Sequence, residues 1–361
     1  MFTALSRIIP PPSYISMPAV GVDISDASLK YIGFKPNVHP GARRVLERWG
    51  EIVIPSGVVD RGSVLDQKQL VAVLKECKKA SKTEYVRLSL PEERAYLFET
   101  KIKSHMSVRE VRNLLEFRLE ENVPIPSKEV LFDYTVLPSS VNARELSVSV
   151  VAYSKETIQA YHDACREAGL RPLSFEVEAQ AMARAMVPSD MTGTVMIIDF
   201  GKTRTGIGIV NNKTLMYTST VDIGGNDLSK SLRAVLGDRA EEELTAIKND
   251  AGLLRGTESA EIRETLLTTV SIIKDEIATR MQYWNMRNGA EQRRVELIML
   301  CGGSSNLNGL PEYLTESLDV PTLRGNVWEN VLSLEETIPP IDRKHSYGYA
   351  AAVGLALRNK T

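Results

Sequence analysis

Apolar residues in this chain gather into short runs, and two of the runs stop at an aspartate. "VMIIDFGKTRTGIGIV", residues 195–210, is apolar up to Ile198, meets Asp199, turns through Phe200 and Gly201, and resumes from Gly206 to Val210. The pattern predicts a β-hairpin whose turn follows the aspartate. A carboxylate at the end of a buried strand is costly unless something pairs with it or ligates it. "AVGVDISDASLKYIGF", residues 19–34, repeats the arrangement around Asp23. With Asp23 set on Asp199, Ser25 falls opposite Gly201, Ser28 opposite Arg204 and Lys30 opposite Gly206.

The resemblance continues past the hairpins. "ERWGEIVI" predicts a third strand and "DQKQLVAVLKECKKA" an amphipathic helix capped by Asp66. In the second copy "KTLMYTSTVDI" is the third strand, followed by Gly224-Gly225-Asn226-Asp227 and the helix "LSKSLRAVL". Two copies of strand-turn-strand-strand-helix predict a duplicated α/β fold with one acidic hairpin in each half. A tight turn points several backbone N–H groups into one space, which makes an anion cradle. Two such turns across a cleft can hold a polyphosphate, and two aspartates can hold Mg²⁺ through its waters. A buried strand also runs into Gly302-Gly303 in "VELIMLCGGSSNLNGLPEYL", where bare backbone can approach a flat ligand.

Between the two copies lies a stretch that the duplication does not explain. "RAYLFETKI", "VLFDYTVL" and "ELSVSVVAYS" read as strands. "SVREVRNLLEFRLEENVP" reads as a helix opened by the capping box Ser107 to Glu110, with Val108, Val111, Leu115 and Leu119 at helical spacing. "KETIQAYHDACREAGL" reads as a second helix with Ile158, Tyr161 and Cys165 on one face and Gly169 as its stop. The unit carries no chemical motif and reads as an inserted α+β interaction module.

Composition excludes more than it identifies. The 44 basic and 46 acidic side chains leave −2, without a basic run, so nucleic acid has no electrostatic support as a partner. Cys77, Cys165 and Cys301 sit singly in apolar surroundings and suit a reducing compartment. The four histidines lack metal-ligand spacing, and no apolar run reaches the length of a membrane span. At the N-terminus, the spacing of Phe2, Leu5, Ile8 and Ile9 fits one face of a short helix ended by Pro10–Pro12; a frayed tail fits, and so does a membrane-touching or docking segment.

The order Asp-hairpin, Asp-hairpin, Gly-Gly, strand-Gly-Gly resembles the actin-like ATPase superfamily, which also holds sugar kinases and the cell-division protein FtsA. More narrowly, "VDIGGNDL", "EIATRMQYW", "MLCGGSSNLNGLPEYL" and "YGYAAAVGLALR" resemble the PilM family of type IV pilus assembly proteins. The fold implied is a duplicated actin-like, ribonuclease H-like α/β fold with a nucleotide cleft between halves and an inserted α+β subdomain. The implied divisions are a tail at 1–18, a first half at 19–96 and 169–190, the insertion at 97–168, a second half at 191–344, and a C-terminal helix at 345–361 returning to the first half.

Carried over, the resemblance implies ATP and Mg²⁺, with the metal near Asp23 and Asp199. The phosphates would meet Asp23, Ser25, Asp26, Ala27, Ser28 and Lys30 of one turn, and Gly201, Lys202, Thr203 and Arg204 of the other, with Gly224 and Gly225. Lys248, Gly302, Gly303 and Ser304 would border the nucleoside, and Glu178 would orient the attacking water. Ser25 stands where the family has Gly, and Asp26 adds negative charge that Lys202 and Arg204 could offset. That departure implies weak or no ATP hydrolysis.

The implied setting is cytoplasmic, peripheral at the inner face of the cytoplasmic membrane, within the pilus inner-membrane complex. The implied partner is the N-terminal tail of PilN, lying beside Leu88–Phe98 and the insertion's first helix; a homo-oligomer stays open. An FtsA-like filament protein is the alternative, disfavoured because the chain stops at "GLALRNKT" without an amphipathic membrane helix. A small-molecule kinase is a third reading, for which no acceptor base proposes itself.

Overall fold

The structure, a computed structural model, describes residues 17–35, 44–138, 144–254, 260–287, 293–335 and 337–358. The apolar N-terminal face of Phe2 to Ile9 lies outside the described residues. In chain order the elements begin with β1 (Val20–Ile24), β2 (Ser28–Phe34), β3 (Leu46–Val53) and the two-rung ribbon β4 (Val59–Asp60) and β5 (Ser63–Val64). Next come α1 (Gln67–Ser81), β6 (Tyr85–Leu90), β7 (Tyr96–Lys103), α2 (Val108–Asn122), β8 (Val130–Val136) and β9 (Glu145–Ser154). Then follow α3 (Lys155–Glu167), β10 (Arg171–Val177), α4 (Glu178–Met186), β11 (Thr194–Phe200), β12 (Thr205–Asn211) and β13 (Thr214–Val221). The chain closes with α5 (Gly225–Leu236), α6 (Glu241–Asp250), α7 (Ala260–Arg287), β14 (Leu297–Cys301), α8 (Leu310–Leu318), β15 (Thr322–Arg324), α9 (Arg343–Ser346) and α10 (Ala350–Leu357).

These elements form two compact units. One comprises Met1–Pro91, Thr157–Pro188 and Asn326–Thr361; the other comprises Glu92–Glu156 and Ser189–Gly325. The first holds a sheet ordered β3-β2-β1-β6-β10 and the second a sheet ordered β13-β12-β11-β14-β15. In both, the first three strands are antiparallel and the remaining two join in parallel. The duplication expected from two aspartate hairpins is therefore a duplication of whole sheets, strand for strand.

Buried on both faces, the central strands read as near-continuous apolar runs, as parallel pairing demands. Val20, Val22, Val86 and Leu88 are fully buried in one unit; Met196, Ile198, Ile298 and Leu300 are buried in the other. Asp66 caps α1 by accepting from the Gln69 amide at 3.0 Å. The acidic capping box of α2 forms as expected, with Ser107 and Glu110 bonding each other's backbones.

The insertion folds as a three-stranded antiparallel sheet, β7-β9-β8, with α2 on one face. Val111, Leu115 and Leu119 of α2 pack onto Phe98, Val148 and Val150. Val108, expected on the same face, is 70% exposed. It is the first helical residue after the Ser107 cap, a turn short of the sheet. Residues Glu92–Glu156 belong to the second unit, and the stretch that follows them, Thr157–Pro188, belongs to the first. The attachment is visible in specific bonds: Ser149 Oγ donates to the Leu215 carbonyl at 2.9 Å, and Arg293 pairs with Glu99 at 3.0 Å.

Within the first unit, α10 is apolar around its whole circumference, and every residue of it is buried. Such a helix is stable only when enclosed. It packs against α4 and β1, so closely that a Cβ on Gly354 would stand 1.7 Å from the Ala181 carbonyl oxygen. Among the described residues no helix is long and apolar enough to cross a membrane.

Gly354→Ala must separate α4 from α10, because the atom in the way is backbone. The expected loss of stability is about 1–3 kcal/mol, at the upper end of that range for overpacking. Urea unfolding measures it; an unchanged midpoint would mean that the two helices are not in this contact.

Candidate functional site

In the second unit the chain leaves β11 at Phe200 and turns through Gly201, Lys202, Thr203 and Arg204 into β12. The Gly201 amide bonds the Arg204 carbonyl at 2.9 Å and closes the turn. The Gly201 carbonyl accepts from the Gly225 amide at 3.0 Å and from Ser304 Oγ at 2.9 Å. The Asn226 amide adds a bond to the Lys202 carbonyl at 2.8 Å. Two segments distant in sequence thus meet on one turn. The fit leaves no room for side chains: a Cβ on Gly225 would lie 2.3 Å from Ser304 Oγ. Gly302 adopts φ +82°, and its Cβ would lie 2.3 Å from Asp199 Oδ1.

The arrangement assigns distinct tasks to the glycines. Gly224 caps α5, its amide held by Asp227 Oδ2 at 2.9 Å, and Gly225 spends its amide on the turn. Both therefore position the turn. Gly303 differs, since a Cβ there would meet nothing within 4 Å. It is the residue of this group that borders open space. Among the described backbone bonds, the amides of Lys202 and Thr203 donate to no carbonyl. Two such turn amides beside the α5 N-terminus suit an anion.

Lys248 is buried at the end of α6. Its ammonium bonds Ser229 Oγ at 2.6 Å, and the Gly225 carbonyl and Glu241 Oε1, both at 3.3 Å. Burial pushes its pKa down and Glu241 opposes that. Lys248 therefore braces the first turn of α5 from behind. Arg204 is ion-paired with Glu93 of the same unit, so that cation is already compensated.

The first unit repeats the plan with other side chains. The turn from Ser25 to Ala27 is closed by the Ser25 amide on the Ser28 carbonyl at 3.0 Å. Ser25 Oγ accepts from the Ser28 amide at 3.2 Å and donates to the Ser28 carbonyl at 3.0 Å. The Ser25 hydroxyl is thus folded back into its own turn. Lys30 bonds Ser28 Oγ at 2.8 Å and pairs with Glu51 at 3.2 Å. Burial would raise the Glu51 carboxyl, but the Lys30 charge and hydrogen bonds from Ser28 and Lys30 hold it below its ordinary value.

Asp23 Oδ1 accepts from Ser89 Oγ at 2.8 Å, and the same hydroxyl accepts from the Ile24 amide at 3.3 Å. Burial raises the Asp23 pKa, against the Lys30 charge and the Ser89 bond. Glu178 opens α4 directly after β10, two residues beyond the position where Glu176 pairs with Ser89 in the sheet. Asp23, Ser89 and Glu178 therefore gather at the carboxyl ends of the parallel strands, the usual ligand side of such sheets.

Each predicted residue is thus grouped within its own unit: Asp23, Ser25, Asp26, Ala27, Ser28, Lys30 and Glu178 in one; Asp199, Gly201, Lys202, Thr203, Arg204, Gly224, Gly225, Lys248, Gly302, Gly303 and Ser304 in the other. Sequence reasoning missed Ser89, Glu51, Glu93, Ser229 and Glu241. Ser89 had a signal, as a lone hydroxyl inside the apolar strand "YVRLSL". Glu93 had none, because its pairing with Arg204 joins residues far apart in the chain. Among the described residues no three His, Cys, Asp or Glu side chains cluster as a metal cage. A hydrated Mg²⁺ needs none, since it keeps most of its waters and one or two carboxylates suffice.

Residues 21–360 match the model of a family described as type IV pilus assembly protein PilM. Among solved structures, the chain is similar to a PilM-PilN type IV pilus biogenesis complex, at 21% identity and a TM-score of 0.76, covering 95% of this chain and 98% of that one. The ethanolamine utilization protein EutJ from Carboxydothermus hydrogenoformans is similar at 16% identity, TM-score 0.54, over 97% and 90% of the two chains. MreB5 of Spiroplasma citri bound to ADP is similar at 14% identity, TM-score 0.50, over 86% and 92%. The fold is that of these actin-like proteins.

The raised pKa of Asp23 fixes a sign. The folded chain holds this proton more tightly than the unfolded chain, so its contribution is complete below about pH 4 and is lost as pH rises through the folded value. Asp23→Asn keeps an acceptor for Ser89 and removes the charge. The variant is expected to melt above the wild type at pH 7, with the gap closing toward pH 3. A gap that widens at low pH would mean that Asp23 is stabilised as a carboxylate.

Proposed function

Because the chain belongs to the type IV pilus assembly protein PilM family, we propose that it acts in pilus assembly as an actin-like nucleotide-binding component that engages PilN. Family membership over nearly the whole chain carries the assembly role. The second unit's turn carries the nucleotide reading: it is braced by Ser304, Gly225 and Lys248, keeps two amides unspent, and has open space over Gly303.

ATP with Mg²⁺ is the ligand this reading assigns. In the second unit the turn amides would meet phosphate oxygens, Asp199 would face the hydrated cation, and the bare Gly303 backbone would lie against the nucleoside. In the first unit the Ser25–Ser28 turn, Lys30 and Asp23 have the corresponding chemistry. Glu178 is the carboxylate placed to orient a water, and slow hydrolysis follows from the acidic turn at Asp26. The setting is the inner face of the cytoplasmic membrane, reached through a membrane-anchored partner. Support for PilN as that partner comes from the similarity to the PilM-PilN complex. The surface proposed for its tail is the outer side of α2, where Phe117 is 61% exposed opposite the buried Val111–Leu119 face.

Titration calorimetry with Mg²⁺-ATP tests the nucleotide. Asp199→Ala and Gly303→Val should each weaken binding by about tenfold or more, the equivalent of roughly 1.4 kcal/mol. Glu178→Gln should leave affinity unchanged. Because a Cβ at Gly303 meets nothing within 4 Å, the variant's melting temperature should also be unchanged. Full affinity in both weakened candidates would overturn the reading.

A second titration uses a synthetic PilN N-terminal peptide. The chain lacking residues 1–17 should bind it normally, whereas Phe117→Ala should bind several-fold more weakly. Loss in the first with normal binding in the second would move the partner site to the N-terminal tail.

A further inference from the structure

The closing turn of α10 lies in a concentration of arginines that the nucleotide reading does not use. Arg184 of α4 grips Glu176 through both guanidinium nitrogens, one at 2.8 Å, and donates to the Gly354 carbonyl at 2.9 Å. Arg358, directly after α10, stands 3.9 Å from Glu176 and reaches the Phe175 carbonyl at 3.5 Å. Arg44 donates to the Ala356 and Leu357 carbonyls at 3.5 and 3.4 Å. Beneath them, on β6, Arg87 is only 8% exposed. Its sheet partners are Gly21 of β1 and Ser174 of β10, and a Cβ on Gly21 would run into α10. Arg87 therefore points at the face that α10 covers.

Arg184 hydrogen-bonds Glu176 and Arg358 pairs with it at longer range, but no described residue accepts a hydrogen bond from the Arg87 guanidinium. Burial lowers its pKa, followed by the charges of Arg358, Arg44 and Arg184, with Glu176 alone opposing. Helix capping does not account for so much charge. Three guanidinium groups, Arg87, Arg184 and Arg358, stand against one carboxylate. The carboxyl end of α10 supplies about half a negative charge. Roughly one and a half positive charges are left over, before Arg44 is counted. A buried cation without a counter-ion is costly, and an apolar residue at Arg87 would avoid the cost. Solvent can still reach the group, since the Arg184 and Arg358 side chains remain 27% and 28% exposed.

We propose that Arg87, Arg184 and Arg358, with Arg44 at the rim, form an oxyanion site in the first unit that takes a phosphate dianion. Guanidinium forks match tetrahedral oxyanions in pairs, and arginine carries its charge at every physiological pH. The ligand chemistry is that of free inorganic phosphate or of a lipid phosphomonoester headgroup.

Thermal unfolding of the full chain in chloride and in inorganic phosphate, at matched ionic strength, tests the site. Phosphate should raise the wild-type midpoint saturably, by about 2–4 °C more than it raises that of Arg87→Met. Any phosphate response of the nucleotide site is common to both and cancels in the comparison. In chloride, Arg87→Met should melt at or above the wild type, because a buried charge is gone. Should that variant fail to fold, Arg358→Gln provides the comparison and should lose most of the same response. An equal phosphate response in wild type and variant overturns the proposal. Flotation with phosphatidic acid and phosphatidylcholine vesicles separates the sources. Arg87-dependent binding to the first alone identifies a lipid headgroup; a phosphate response with no flotation identifies the free ion.

Discussion

One carbonyl oxygen organises the second unit. The Gly201 carbonyl accepts from the Gly225 amide and from the Ser304 hydroxyl, and so ties the β11–β12 turn to the start of α5 and to the segment after β14. Both donors must come close, which forbids a side chain at Gly225 and forces Gly302 beside the Asp199 carboxylate. The apolar core below keeps the strands rigid, but it does not set the turn. The turn is set by this shared acceptor, with Lys248 holding the other side of Gly225 through its carbonyl. Polar networks of this kind are stabilising only when every member is satisfied, and here a buried lysine, a serine and Glu241 complete one another.

The first unit reaches the same geometry by another route. Where the second uses glycine and a distant serine, the first uses Ser25, whose hydroxyl bonds within its own turn. Its aspartate is anchored by Ser89 of the neighbouring strand. The consequence is electrostatic. Asp23 is held in a place where burial disfavours its charge, against the Lys30 charge and the Ser89 hydrogen bond. The two units share strand order and differ in how each turn is held.

The insertion shows how attachment decides a module's role. Its own core of Phe98, Leu115, Val148 and Val150 would make a small unit, yet it is fastened to the second sheet by Ser149, Arg293 and the Glu93–Arg204 pair. That last pair connects the start of the insertion to the β11–β12 turn itself.

The sequence by itself determined the two aspartate hairpins, the paired halves, the Gly-Gly segments and the helices with their caps. These are local facts: strand alternation, helical spacing, Asp66 before α1 and Ser107 with Glu110 at α2 are all legible within a few residues. It also indicated the family, because the motifs carry their spacing with them. Tertiary structure alone decided what each charged group faces. Lys30 looked available for phosphate and is paired with Glu51; Arg204 looked available and is paired with Glu93; Val108 matched the spacing of a buried face and is exposed. Tertiary structure also assembled the arginines around α10 from four separate segments. The reason is the same in each case. Backbone preference is set by neighbours in the chain, whereas the environment of a charge is set by whatever the fold brings within a few ångströms, at separations that no local pattern encodes.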